Sequence, residues 1–367
     1  MNEAVKQVNQ SEFEKLVEIV SENFQVEEAL IEHDIPTFYL KQPQKTKQAF
    51  LKLLKQLEQM NLVAYLRRTS GRIVLKIIPR QPSKPSNILF NWLLLFATVG
   101  TTFAAGYLLS ADFIDPLIGG ATFTVAIMAV LGMHEMGHKL TSDVEGVEAT
   151  PPYFIPGPPP FGTFGAVIMQ KSLPPNKDSL FDVGVSGPIL GFLVAIVATI
   201  VGLPYSSYNW VSTDTPTLPA PIFFRLFAHF LLPPAPVNGY KPGYMLVVTL
   251  HPVAFAGWIG FFVTMLNLLP AAMLDGGHIA RSIFSERVRS VLTVLSIVFL
   301  VFVSWPMAIF VLFMSTFKHP GPLDDVSDLS RSRKVLLGVL VAVFVLSSPL
   351  YDLFHSLINF LRWLLRT

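Results

Sequence analysis

The run His134-Glu-Met-Gly-His138 sets two imidazoles four residues apart, with the Glu135 carboxylate beside the first. On a helix, positions i and i+4 share a face, so both rings can reach one zinc ion. Glu135 then points about 100° away. There a carboxylate can act as general base on a water activated by the metal. A catalytic zinc with one open position needs a third protein ligand. The candidate stretch is Asn267-Leu-Leu-Pro-Ala-Ala-Met-Leu-Asp275-Gly-Gly-His278. Pro270 interrupts an apolar run, Gly276 and Gly277 permit a tight turn, and Asp275 sits among apolar residues. From spacing alone Asp275 and His278 compete for the third place. Asp275 could instead serve as the N-cap of a following helix. The sequence has no Cys, which excludes a disulfide framework, a thiol nucleophile and Cys-based zinc sites.

The elements that must hold these residues are apolar. The chain has 367 residues, 51% hydrophobic and 14% charged, where a soluble domain carries roughly 25% charge. That argues against an ordinary soluble enzyme. The net charge of +2 gives no basis for a nucleic-acid partner. Ile88 to Leu109 is free of charge and, at ~1.5 Å per residue, long enough for ~30 Å of hydrocarbon. Residues 119–141, 181–203 and 245–269 read as three further spans. Residues 291–317 are interrupted by Trp305-Pro306 and read as one kinked span or a short hairpin. Val335 to Leu346 begins a last apolar helix, and Leu353 to Leu365 reads as an amphipathic interfacial tail. The expected fold is a polytopic α-helical membrane protein with about six transmembrane segments. His134 falls ~22 Å into the second span. A charged group at that depth costs about 2.5–3.5 kcal/mol unless it is paired, so ionisable residues there mark function by default. The plainer reading is a His–Glu pair that supports helix packing.

Residues 1–82 differ in kind. Nine of the 13 Glu precede residue 60. No apolar stretch follows the start, so no signal peptide is expected. Phe13, Leu16, Val17 and Val20 recur at helical spacing, as do Phe50, Leu53, Leu54 and Leu57. Residues 36–40, 62–66 and 73–78 read as strands, the last two joined at Ser70-Gly71. This predicts a small α+β module on the cytosolic side, with His33-Asp34 as a turn. The expected division is 1–82 for this module, 83–87 for a Pro-rich linker, 88–350 for the membrane domain and 351–367 for the tail. Lys and Arg place the module, and the ends of spans two and four, toward the cytosol. Lys318 to Lys334 fits the same side and favours the hairpin reading of 291–317.

Phe161 to Met169 follows a Pro-rich entry and alternates enough for a strand. It is expected to form a re-entrant β-hairpin near the metal residues. Its edge could hold an unwound peptide by strand addition, with Phe164 and Gly165 the most exposed positions. The plainer alternative is a structural loop. His251 reads as a satisfied His at a helix start, and His229 lies in a short apolar loop segment.

The two motifs together resemble the site-2 protease family of intramembrane zinc metalloproteases. H-E-x-G-H on one span and N-x-x-P-x-x-x-L-D-G on a later one carry the resemblance, with Ser186-Gly-Pro-Ile-Leu-Gly191 between them. It covers roughly residues 88–335. Pro151 to Leu173 and Pro320-Gly-Pro-Leu-Asp-Asp325 look like the archaeal, cyanobacterial and plastid branch, without the Gly-Asn-Leu-Arg motif of plastid members and without a PDZ insertion. The resemblance implies His134, His138 and Asp275 as ligands of one zinc per chain and Glu135 as the catalytic residue. It moves His278 out of the ligand set and carries Asn267 over as a residue near substrate or oxyanion. It also implies transmembrane protein substrates within a lipid bilayer and regulated intramembrane proteolysis. The expected location is multi-pass in the cell membrane, with the active site toward the cytosol; the sequence does not define the oligomeric state. A non-catalytic zinc-containing scaffold is the second reading, and intact Glu135 separates the two. A transporter is a third, disfavoured because no internal repeat is present.

Overall fold

A computed structural model describes residues 10–82, 85–110, 114–235, 242–317, 320–354, 358 and 362. The first elements are α1 (Gln10–Asn23), β1 (Val26–Glu32), β2 (Ile35–Leu40), α2 (Lys47–Glu58), β3 (Leu62–Thr69) and β4 (Arg72–Pro79). The strands form one antiparallel sheet in the order β1-β2-β4-β3. Both tight turns have positive φ at their two central residues, His33-Asp34 and Ser70-Gly71. That geometry matches the twist of the paired strands. The apolar faces of α1 and α2 close over the sheet, and Phe38, Phe50, Leu53, Leu57 and Leu66 are fully buried between them. Strand β1 had no clear sequence signal, because Glu27 and Glu28 break its alternation.

Among the described residues three helices are long and apolar enough to cross a membrane: α3 (Ile88–Leu109), α4 (Pro116–Val144) and α5 (Lys177–Gly202), the last continued by a 3-10 turn to Tyr205. Each starts at a side-chain cap. Asn87 accepts from the Phe90 N–H, Asp115 from Leu117 and Ile118, and Asn176 from Asp178 and Ser179. These caps begin α4 and α5 ahead of their apolar stretches, earlier than hydropathy alone suggests.

Between α4 and α5 runs a hairpin of β5 (Tyr153–Pro156) and β6 (Thr163–Val167). It lies along α3. Asn91 Nδ2 donates to the Pro151 and Pro152 carbonyls at 3.3 and 3.2 Å, and Thr101 Oγ1 donates to the Gly162 carbonyl at 2.6 Å. Ten residues separate these anchors, about 15 Å along the helix axis. At the hairpin tip, Phe161 stacks on Phe255 with centroids 6.1 Å apart.

After α5 come β7 (Ser207–Ser212), α6 (Ile222–Leu231), β8 (Tyr244–Thr249) and α7 (Pro252–Leu268). Here the structure corrects the sequence reading. Residues 245–249 are a strand paired antiparallel with β7, and the helix begins only at Pro252. Proline disfavours helical geometry in the residue before it, and Val247, Val248 and Thr249 are β-branched. The segment around His229 is likewise a helix, α6, where a loop was expected.

The chain ends its described course with α8 (Asp275–Ile283), α9 (Glu286–Val303), α10 (Trp305–Met314) and α11 (Arg331–Ser347). Ser304, with φ −160° and ψ 88°, separates α9 from α10. The tail expected over 353–365, like Lys318, falls largely outside the described residues.

Helices α4, α5 and α7 enclose the main core, where Phe123, Phe181 and Phe261 are fully buried. The α5–α7 contact is close because it is lined by glycine. A Cβ at Gly202, Gly257 or Gly260 would lie 2.6 Å or less from an atom of the facing helix. Small residues are what permit such approach in a bilayer, where apolar burial alone gives helices little reason to associate.

Candidate metal centre

His134 and His138 lie on one face of α4, and Asp275 opens α8. Among the described residues these three form a group able to hold a metal ion. The two Nε2 atoms are 3.3 Å apart, and Asp275 Oδ2 is 3.3 Å from each. Tetrahedral zinc with bonds of about 2.0–2.1 Å separates its ligand atoms by about 3.3–3.4 Å. The donor triangle therefore fits zinc in both chemistry and size.

The position of each ligand has a local cause. His138 Nδ1 lies 2.7 Å from the Val183 carbonyl of α5. A carbonyl only accepts, so Nδ1 carries the proton and Nε2 offers its lone pair to the metal. This is the outer-sphere arrangement that fixes a ligating imidazole. Helix α5 makes room for the site with three glycines at positions i, i+3 and i+7. A Cβ on Gly187 would lie 2.1 Å from His138 Nε2, one on Gly191 would lie 3.1 Å from His134 Nδ1, and one on Gly184 would lie 3.1 Å from the Asp275 carbonyl. Two of these glycines are in Ser186-Gly-Pro-Ile-Leu-Gly191; the third becomes meaningful only once α8 is seen packed on α5.

Asp275 reaches the site because α7 stops at Leu268 and the chain turns before α8. Ala272 takes a positive φ of 48° in that turn. Gly276 packs against the turn so closely that a Cβ would be 2.3 Å from the Leu268 and Leu269 carbonyls. His278 is one turn further along α8, half-buried against Gly184, and is not part of the donor triangle.

Glu135 is buried, and its Oε1 is 4.0 Å from His134 Nε2. It stands beside the triangle without joining it. The backbone of Ile168, directly after β6, is the main-chain group beside its carboxylate. Asn267, in the last turn of α7, brings Nδ2 to 3.3 Å from His134 Nε2. Phe164 and Gly165 do not enter the donor group. They lie on β6, with Phe164 74% exposed and open space around the Gly165 Cα. His251 caps α7 by accepting from the Val253 N–H, away from the site. Sequence reading missed the Val183 carbonyl, since a backbone group leaves no residue-type signal.

The glycine clearance gives a direct expectation. Gly187→Ala should sharply reduce bound zinc, because its methyl competes for the space of His138 Nε2. Gly338→Ala, with no atom within 4 Å of its Cβ, is the matched control on α11. Metal analysis of the two purified variants checks this; equal zinc content would refute the packing argument.

Fold and site define a polytopic helical membrane protein with a buried His-His-Asp centre suited to zinc. Residues 122–304 match the model of Peptidase family M50, and the chain carries a domain of that family. Among curated proteins, it is 32% identical over 233 residues to "Probable zinc metalloprotease EGY1, chloroplastic" of Oryza sativa subsp. japonica, covering 62% of this chain and 40% of that protein. The Arabidopsis thaliana protein of the same name is 28% identical over 62% of this chain and 42% of its own length. "Probable zinc metalloprotease EGY2, chloroplastic" of Arabidopsis thaliana is 30% identical over 64% of this chain and 42% of its own length. The chain thus spans about two fifths of the length of these curated relatives. No solved structure matches it.

Proposed function

We propose that this chain is an intramembrane zinc metalloendopeptidase that hydrolyses peptide bonds within or near transmembrane segments of membrane proteins. The observation that carries the reading is the 3.3 Å donor triangle with a buried carboxylate beside it that is not a ligand. A structural zinc site has no use for Glu135, which disfavours a non-catalytic scaffold. The names printed for the relatives and the family support the same chemistry.

His134, His138 and Asp275 would hold the ion, one per chain. Zinc bound there would supply Lewis acidity, polarising a carbonyl and lowering the pKa of water. Glu135 takes the proton of the attacking water and later delivers it to the leaving amine. The Asn267 amide, beside the triangle, donates to the oxyanion that develops on the substrate. A transmembrane helix buries its own amides, so the scissile segment must be unwound before attack. Among the described residues the β5–β6 sheet has two strands, leaving an edge for an extended peptide. The hairpin acts here as a re-entrant element, because β6 packs against α4, the helix that carries Glu135. Phe164 and Gly165 on that strand would contact substrate.

The N-terminal module, the start of α5 and the start of α11 meet at one end of the bundle. Lys47 pairs with Asp178 at 2.9 Å, and Arg333 pairs with Asp182. The basic residues at this end, including Lys139 and Lys177, support a cytosolic side. Six spans, a separate module at 1–82 and residence in the cell membrane complete the proposal. The protein in lipid vesicles is expected to bind zinc one to one and to cleave transmembrane peptides. A chelator should stop cleavage and added zinc restore it. Cleavage indifferent to chelation would sink the proposal.

A further inference from the structure

Residues 322–327 lie between the N-terminal sheet and the helical bundle. On one side the Leu66 N–H donates to the Leu323 carbonyl at 2.9 Å, and the Asp325 N–H donates to the Leu66 carbonyl at 3.2 Å. The segment thereby adds a parallel rung to the outer edge of β3. Arg67 Nη1, on the same strand, also donates to the Leu323 carbonyl at 2.7 Å. Leu323 and Val326 pack against the core of the N-terminal module. On the other side the Leu323 and Asp324 N–H groups donate to the Pro174 and Pro175 carbonyls, just before α5, at 2.8 and 2.9 Å. Asp324 is fully buried, and its Oδ1 accepts from the Val326 and Ser327 N–H groups, which fixes the bend.

The next residue turns toward the metal helix. Asp325 meets Arg281 of α8 in a two-bond fork, Nη1 to Oδ1 at 2.9 Å and Nη2 to Oδ2 at 2.6 Å. Both side chains are largely buried, at 14% and 21% exposure. Gly321 closes over the guanidinium; a Cβ there would meet Nη2, and its φ is +74°. Burial pushes the Asp325 carboxyl up, but the Arg281 fork outweighs it and holds the group below the usual carboxylate range. A two-bond fork resists rotation as well as separation.

Arg281 lies six residues beyond Asp275 on a helix of nine residues, about 9 Å along one rigid axis. We infer that residues 322–327 are a strap by which the N-terminal sheet sets the position of α8, with Arg281 a positioning residue for the ligand Asp275. The inference rests on the metal-site reading above. Sites of this kind tolerate about 0.5 Å of misplacement. A shift of the strap that carries Arg281 moves Asp275 with it, while His134 and His138 stay on α4. The N-terminal module thereby gains a route to the site although it supplies no ligand. A partner that binds the module can act on metal geometry through this strap.

The test uses the full-length protein loaded with cobalt in place of zinc, whose visible absorption reports the donor geometry. Zinc affinity is measured by competition against a chromophoric chelator. Arg281→Ala, Asp325→Ala and Arg67→Ala are each expected to weaken zinc binding about tenfold, the low end of what outer-shell losses cost. All three should shift the cobalt spectrum in the same sense. Arg281→Lys, which keeps the charge but not the fork, should fall between wild type and Arg281→Ala. Lys47→Ala is the control. Lys47 also ties the module to the bundle, but through Asp178 and Ser330 rather than α8, so it should leave affinity and spectrum unchanged. If Arg281→Ala keeps its thermal transition and also its spectrum and affinity, the strap does not position Asp275. If Lys47→Ala matches Arg67→Ala, general docking of the module replaces the strap. Should an Ala variant fail to fold, Arg281→Lys with a wild-type spectrum and affinity overturns the inference by itself. A wild-type protein that binds neither metal overturns the metalloprotease reading, and this inference with it.

Discussion

Glu135→Gln should leave folding and zinc stoichiometry intact while peptide cleavage falls by at least ~10²–10⁴-fold, the range general acid–base catalysis supplies. The side chain is buried beside the donor triangle and 4.0 Å from His134 Nε2. Glutamine has nearly the same volume, so the packing of α4 should hold. It cannot accept the proton of the attacking water, nor return one to the leaving amine. The measurement is single-turnover cleavage of a transmembrane peptide, beside metal analysis on the same preparation. Equal turnover by the two proteins would end the metalloprotease mechanism.

The second large effect separates two residues one turn apart. Asp275→Ala removes one corner of the donor triangle, whereas His278→Ala removes a side chain outside it. Losing an outer-shell partner typically costs ~10–100-fold in metal affinity. The loss for Asp275→Ala should exceed that range, because a ligand itself is gone. His278→Ala should stay close to wild type in zinc affinity, with any effect confined to the packing of α8 on Gly184. Competition titration gives both numbers. The reverse order would make His278 the third ligand and would require α8 to turn on its axis.

That contrast also shows where sequence reading stops. The His134/His138 pair is legible because four residues on a helix return to the same face. The third ligand is not, since Asp275 and His278 both fit the spacing, and only the turn at Ala272 and the packing on Gly184 favour one. The apolar run at 88–109 coincides with α3, where no charged residue interrupts the pattern. Residues 245–249 misled because a β-branched run and a buried helix are equally hydrophobic; Pro252 held the missing information. The hairpin could be suspected from alternation at 161–169, but its descent along α3 depends on Asn91 and Thr101, two polar residues that look unremarkable in an apolar span.

The rung added by Leu323 and Asp325 to β3 has a consequence for synthesis of the chain. Leu66 and Leu323 are 257 residues apart. At ~5–20 residues per second, the ribosome needs roughly 13–50 s to deliver the second after the first. During that interval the N-terminal sheet is complete in its own strands but its β3 edge is bare, and two residues that pack against its core, Leu323 and Val326, have not been made. A bare edge invites pairing with other nascent chains. Arg67 and Arg68 sit in that strand, and charge on an edge strand is a common protection against such pairing. Arg67 thus meets two needs in turn: it guards the edge while the membrane helices are being inserted, and it grips the Leu323 carbonyl once the strap arrives.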